Sequence, residues 1–148
     1  MATQAFTIDS SLDADDAFTR LIDLTRVGEW DRGISNARHV DGEPGEVGAR
    51  YEVTVTGFDG ALTQVVYELL EVQRPSHFVM EGSHPTFRAH DTIDVTAGDE
   101  SGCSVTYQAE LHLGATPSGV TDEILEATFP KVAAVAEAGL RVFLNPDA

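Results

Sequence analysis

A chain of 148 residues, 42% apolar and 23% charged, has the size and make-up of one globular domain and not of a disordered or fibrous protein. A net charge of −16 repels phosphate backbones and anionic lipid surfaces, so neither nucleic-acid binding nor stable membrane insertion is expected. Cys103 stands alone, which excludes an internal disulfide framework. With no apolar run of spanning length and no export signal at Met1-Ala2-Thr3-Gln4, one cytoplasmic domain over residues 1–148 is expected.

Phe6-Thr7-Ile8-Asp9-Ser10 alternates apolar and polar residues, the period of a half-buried strand. Asp13 then suits a helix N-cap, with Asp16 at the third helical position and Phe18, Leu21 and Ile22 on one face. The trio Asp13, Asp15 and Asp16 is therefore helix-start chemistry rather than a metal cluster. A second short helix is expected over Val27–Asp31, between the breaks at Gly28 and Gly33, and it carries the only tryptophan, Trp30.

From Arg38 to Leu113 the chain reads as successive antiparallel strands separated by turn residues. Tyr51, Val53 and Val55 alternate with polar neighbours, and Asp59-Gly60 signals a tight hairpin. Val65–Val72 follows, then a strand with Phe78, Met80 and Gly82 on one side, then one with Phe87, Ala89, Asp91, Ile93 and Val95 on one side. The last strand points Cys103, Val105, Tyr107, Ala109, Leu111 and Leu113 one way. Beyond Pro117-Ser118-Gly119 the period becomes helical. Thr121 is placed to cap, and Leu125, Phe129, Val132, Ala136, Leu140 and Phe143 form one apolar stripe, which Pro130 either kinks or restarts.

This order predicts an α+β fold: an antiparallel sheet of about seven strands, two short helices after the first strand, and one long C-terminal helix to cover the open face. Ala133, Ala134, Ala136, Ala138 and Gly139 make the covering helix slender. They serve either tight packing or an internal space for a ligand.

Several strings carry a resemblance over nearly the whole chain. They are Asp13-Ala14-Asp15-Asp16-Ala17-Phe18, Gly28-Glu29-Trp30-Asp31, Gly45-Glu46-Val47-Gly48-Ala49-Arg50-Tyr51, Tyr67-Glu68-Leu69-Leu70-Glu71-Val72, Asp91-Thr92-Ile93-Asp94-Val95, Val105-Thr106-Tyr107-Gln108-Ala109 and Gly139-Leu140. With these the chain resembles the START-related, birch-pollen-allergen-like (SRPBCC) superfamily, the polyketide cyclase/dehydrase and lipid-transport proteins. The resemblance implies a helix-grip fold, in which a curved sheet wraps around the C-terminal helix. Some members of that superfamily carry sterols, lipids or quinones, some cyclise or dehydrate polyketides, and some act on partner proteins, so the fold by itself does not choose a chemistry.

The residues narrow the choice. Among the five histidines no two have a ligand spacing that strand geometry would bring together, and His84, His90 and Asp91 read as surface or hydrogen-bonded groups; no metal and no cofactor is expected. Cys103 has no cation nearby to activate it and reads as a small buried thiol. Gly42, Gly45 and Gly48 are turn glycines, not a phosphate-binding loop. Asp91 is the exception, because alternation turns it inward between Ala89 and Ile93. An inward carboxylate must be paired or neutralised, unless a bulge rotates it out or it bonds a backbone amide. Tyr51, Tyr67 and Tyr107 serve equally as pocket lining or as core, and Trp30 as a gate or as a cap on the core.

The leading expectation is a cavity between the sheet and the C-terminal helix that binds a lipophilic small molecule such as a lipid, quinone, sterol or polyketide-like compound. Its lining would be Trp30, Tyr51, Tyr67, Phe78, Met80, Phe87, Asp91, Tyr107, Phe129 and Val132. The alternatives are an aromatase/cyclase-dehydratase using Asp91 and Tyr107 in the same cavity, and a protein-interaction module with a vestigial cavity. The chain is expected to act as a monomer or homodimer.

Overall fold

The computed structural model describes residues 1–57 and 60–147. In chain order its elements are β1 (Ala2–Ser10), α1 (Ala14–Ile22), a 3₁₀ segment (Leu24–Glu29), β2 (Ile34–Asp41), β3 (Arg50–Thr56), β4 (Leu62–Gln73), β5 (His77–His84), β6 (Phe87–Ala97), β7 (Cys103–Leu113) and α2 (Asp122–Phe143). The seven strands form one antiparallel sheet ordered β1-β7-β6-β5-β4-β3-β2. Each hairpin neighbour pairs with the next, except that β1 crosses to the last strand, setting Phe6 opposite Tyr107 and Ile8 opposite Val105. Among the described residues no helix is long and apolar enough to cross a membrane.

Local chemistry accounts for the helix boundaries. The Asp13 carboxylate accepts from the Asp16 amide at 2.8 Å, and the Thr121 hydroxyl accepts from the Ile124 amide at 3.2 Å, so both helices begin on a satisfied N-cap. Pro130 neither ends nor restarts α2, which runs uninterrupted from Asp122 to Phe143. The second short helix differs from expectation. It starts earlier, at Leu24, because the Asp23 side chain accepts from the Thr25 amide, and it ends at Glu29 as a 3₁₀ turn. The strand region also begins earlier, at Ile34, since β2 is an edge strand exposed on both faces and shows little alternation. Of the expected Asp59-Gly60 hairpin, Asp59 lies outside the described residues.

The core has two parts that meet near Tyr67 and Ala109. The larger joins Ile8, Phe18, Leu21, Tyr51, Val53, Leu69, Phe78, Ile93, Val105 and Tyr107 to the end of α2 at Leu140, Phe143 and Leu144. The smaller places Leu125 and Phe129 of α2 on Ala2, Ala89 and Leu111. The end of α2 is tied to β1 by polar contacts as well. The Ser10 hydroxyl donates to the Leu144 carbonyl at 2.5 Å, and the Asn145 side chain bonds the Ser11 amide and the Asp9 carbonyl.

Two close approaches depend on glycine. A Cβ at Gly139 would lie 2.8 Å from the Trp30 carbonyl carbon and closer still to its oxygen, so the backbone at Trp30 rests directly on α2. A Cβ at Gly82 would lie 2.6 Å from the Tyr67 ring, which crosses β5 at that residue.

Candidate functional site

An internal cavity of about 40 Å³ lies between the sheet and the segment from Leu24 to Ile34. Its apolar wall comes from Leu24, Val27, Trp30 and Ile34 on one side and Val53 and Met80 on the other. Its polar wall consists of two carboxyls, Asp31 and Asp91, and two phenols, Tyr67 and Tyr107. The volume admits a few water-sized groups, well below the ~300 Å³ at which pockets for drug-sized ligands begin.

Unbroken strand pairing sets Asp91. The β6 register runs without a bulge against both β5 and β7, so alternation holds and the side chain faces inward, only 8% exposed. Its Oδ2 accepts from the Tyr107 hydroxyl at 2.6 Å. The Tyr107 ring is itself fixed, stacked on Phe6 with centroids 5.5 Å apart and met edge-on by Trp30 at 5.9 Å. Burial pushes the Asp91 pKa up to about 7 against the pull of the Tyr107 hydrogen bond and of His90, with the nearby charge of Asp31 raising it further. Burial first, and then the charges of the same carboxylates, push both phenols above their ordinary range; for Tyr107 the hydrogen bond it donates to Asp91 adds to this.

Sequence reasoning missed five lining residues, the apolar Leu24, Val27, Ile34 and Val53 and, the one with chemistry, Asp31. It follows the 3₁₀ turn, where no periodicity reports on orientation, and its Oδ1 accepts from the Gly33 amide at 2.9 Å. Burial raises its pKa, partly countered by that bond. An aspartate two residues before a glycine was the one signal, and it points to a turn as readily as to a site.

The expected lining residues divide into two groups. Trp30, Tyr67, Met80, Asp91 and Tyr107 converge on the cavity, whereas Tyr51, Phe78, Phe87, Phe129 and Val132 do not. Tyr51 is buried, but its hydroxyl accepts from the Gly45 amide at 3.0 Å and secures the β2–β3 connection. Phe78 meets Phe18 edge-on in the core at 5.5 Å. Phe87 stacks on His84 at 5.2 Å, and Phe129 fills the smaller core under α2. Val132 is corrected outright. It is 42% exposed, and its neighbour Ala133 faces inward instead, in line with Leu125, Phe129, Leu140 and Phe143 on the buried side of α2.

The cavity's position is a second correction, because no residue of α2 borders it. Leu125 and Phe129 fill the space under one end of α2, and Leu140 and Phe143 the other. Between them Gly139 lets the Trp30 backbone seat on the helix, so the segment carrying Trp30 forms the wall that α2 was expected to form.

Other chemistry-bearing residues have ordinary partners. His77 bonds Asp94, His90 bonds Glu81 and His84 bonds Thr86. Among the described residues no three His, Cys, Asp or Glu side chains converge as a metal site. Cys103 is buried, and burial raises its thiol pKa.

Known structures share this architecture. A START superfamily protein from Mycobacterium smegmatis superposes with a TM-score of 0.79 at 7% identity, covering 97% of both chains. A protein from Thermobifida fusca gives 0.69 at 22% identity, covering 97% of this chain and 93% of that one. Ara h 8.0201 gives 0.66 at 14% identity, with 96% of each chain covered. Identities this low establish the fold alone. No functionally curated protein matches in sequence. The family model described as polyketide cyclase / dehydrase and lipid transport matches residues 1–141, and with that match over the helix-grip architecture the chain belongs to that family.

Proposed function

We propose that this protein binds an apolar small molecule at the cavity beside Trp30, with a polar group of the ligand directed at Asp91 and Tyr107. The observation that carries the reading is an inward, hydrogen-bonded carboxyl–phenol pair, flanked by Asp31 and Tyr67 and faced by an apolar wall, a costly arrangement for a core with no ligand to orient. Because the cavity is only about 40 Å³, the reading requires the Leu24–Ile34 segment to move outward for any ligand larger than a few heavy atoms. That segment is a six-residue 3₁₀ helix containing Gly28 and a loop containing Gly33, and short helices and loops as a class open locally more readily than the strands of a sheet. Family membership supports a hydrophobic ligand without naming one.

A panel of sterols, quinones and polyaromatic compounds tests this by melting temperature and by the emission of Trp30, the only tryptophan. A ligand present at a hundred times its Kd adds about 2.7 kcal/mol of stability. If no compound moves either signal, the reading is wrong.

A second reading rests on the same pair. A carboxyl with a pKa of about 7, bonded to a phenol at 2.6 Å, suits proton transfer in aldol cyclisation or dehydration of a polyketide-like chain. Asp91 would take a proton from carbon while a phenol donates to the departing hydroxyl, which leaves as water. Asp91→Asn should then slow a measured cyclisation by about 10²-fold or more. An unchanged rate leaves binding alone.

A further inference from the structure

We propose that the cavity selects its ligand by a hydrogen-bond-donating, positively charged head, that of a protonated primary amine on an apolar molecule. This deepens the binding reading above and rests on it.

The polar atoms that already have partners leave a distinct set free. Asp91 uses Oδ2 to accept from Tyr107, and no described residue bonds its Oδ1. Asp31 uses Oδ1 to accept from Gly33, and no described residue bonds its Oδ2. The Tyr67 hydroxyl bonds no described residue either. Asp91, Asp31 and Tyr67 all line the cavity, and no fully buried side-chain oxygen or nitrogen among the described residues lacks a partner, so each of these three oxygens touches accessible space. All three can accept, and only the phenol can also donate. Asp91 is more than nine-tenths buried.

Among the described residues no arginine, lysine or histidine lines the cavity to balance the two carboxyls. His90, adjacent to Asp91 in sequence, lies on the opposite face of β6 and is held by Glu81 at 2.9 Å. Arg26, within the 3₁₀ segment, lies over the Phe143 ring, as does Arg20 of α1. An ammonium offers three donors and one positive charge to three oxygens, two of them carboxylate oxygens. A hydroxyl offers one donor and no charge, and a carboxylate would bring a negative group beside two acidic side chains whose own charging is already disfavoured by burial. About 40 Å³ is room for an ammonium and its first methylenes, so the head fits before the wall moves.

Hexylamine, hexanol and hexanoate share one chain and differ in the head, and their binding is read by calorimetry and by Trp30 emission. Salt at about 0.3 M screens the general attraction of a −16 protein for amines. Hexylamine is expected to bind at least about tenfold more tightly than hexanol, and hexanoate more weakly than either. Asp91→Asn and Asp31→Asn should each shrink the amine's advantage, read as the ratio of hexylamine to hexanol affinity in the same variant. If Asp91→Asn does not fold, Asp31→Asn carries the test. Equal binding of the three, a preference for hexanoate, or an amine preference that survives in both variants overturns the head-group inference and leaves the cavity reading standing. If none of the three changes the protein's signals, both fall.

Discussion

Gly139→Ala separates two opposite expectations. At an ordinary helical glycine, alanine stabilises by about 0.5–1 kcal/mol, because it narrows the unfolded ensemble and favours the helix. In this helix the new methyl would lie 2.8 Å from the Trp30 carbonyl carbon and nearer its oxygen, and the obstacle is backbone, which cannot rotate away as a side chain can. Overpacking of this kind costs about 1–3 kcal/mol. A backbone clash this short takes the upper half of that range, about 2–3 kcal/mol, so the net loss after the propensity gain is about 1–2.5 kcal/mol, or roughly 2–10 °C in melting temperature for a domain of this size. Urea unfolding gives the free energy. Trp30 emission, which has no other tryptophan to mask it, should shift to the red as the cavity wall is pushed off α2. Ala138→Gly, on the more open side of the same turn, serves as control and should lose about 0.5–1 kcal/mol by propensity alone, without the shift. A Gly139→Ala protein as stable as the parent, or more so, refutes the contact between Trp30 and α2.

Three further outcomes follow from the same structure. Asp91 has a folded pKa of about 7 against 3.8 for the free side chain, so the folded state holds the extra proton between those values and stability falls as pH rises through that window. Asp91→Asn removes this dependence. Its stability relative to the parent should climb between pH 4 and 7 by an amount on the order of a few kcal/mol, and parallel pH curves would contradict the burial of this carboxyl. Tyr51→Phe leaves the Gly45 amide without its acceptor and should cost about 1–3 kcal/mol in urea unfolding with an unchanged m-value; no loss would show that the bond at 3.0 Å does not hold the loop. Val132→Lys should stay within about 0.5 kcal/mol of the parent while Ala133→Leu loses about 1–3, and the reverse order would mean that α2 turns Val132, not Ala133, toward the sheet.

The strands were the most readable part of the chain, because the sheet solvates one face and so writes its orientation into every second residue. Asp91 and Tyr107 could be placed on the inner face from alternation alone, and the bulge-free pairing of β6 kept them there. Caps at Asp13 and Thr121 were readable for a similar reason, since each needs one residue type at one position. Asp31 was hidden because a 3₁₀ turn and its exit follow no period that a polar residue could violate. Val132 misled because apolarity is only one determinant of which way a helix faces. The buried side of α2 runs through Leu125, Phe129, Ala133, Leu140 and Phe143, and an alanine in that row leaves no mark that the apolar Val132 beside it does not outweigh. Tyr51 misled in a different way: its depth was legible, but its hydroxyl is used by a loop amide six residues earlier in the chain, and the sequence pattern carries no trace of that bond.

The crossing of β1 to β7 has a consequence for how the molecule is made. Ala2 cannot find its partner Leu111 until a loop of about a hundred residues has closed, and α2, whose end is latched to β1 through Ser10 and Asn145, comes later still. A ribosome therefore delivers the first strand long before its neighbour exists. The remaining strands, β2 to β7, can pair each with the one just synthesised, so the nascent chain grows as a meander with its opening segment waiting at the side. On this topology the pairing of β1 with β7 closes over the longest loop, and it adds an edge strand to six others that are already neighbours of one another.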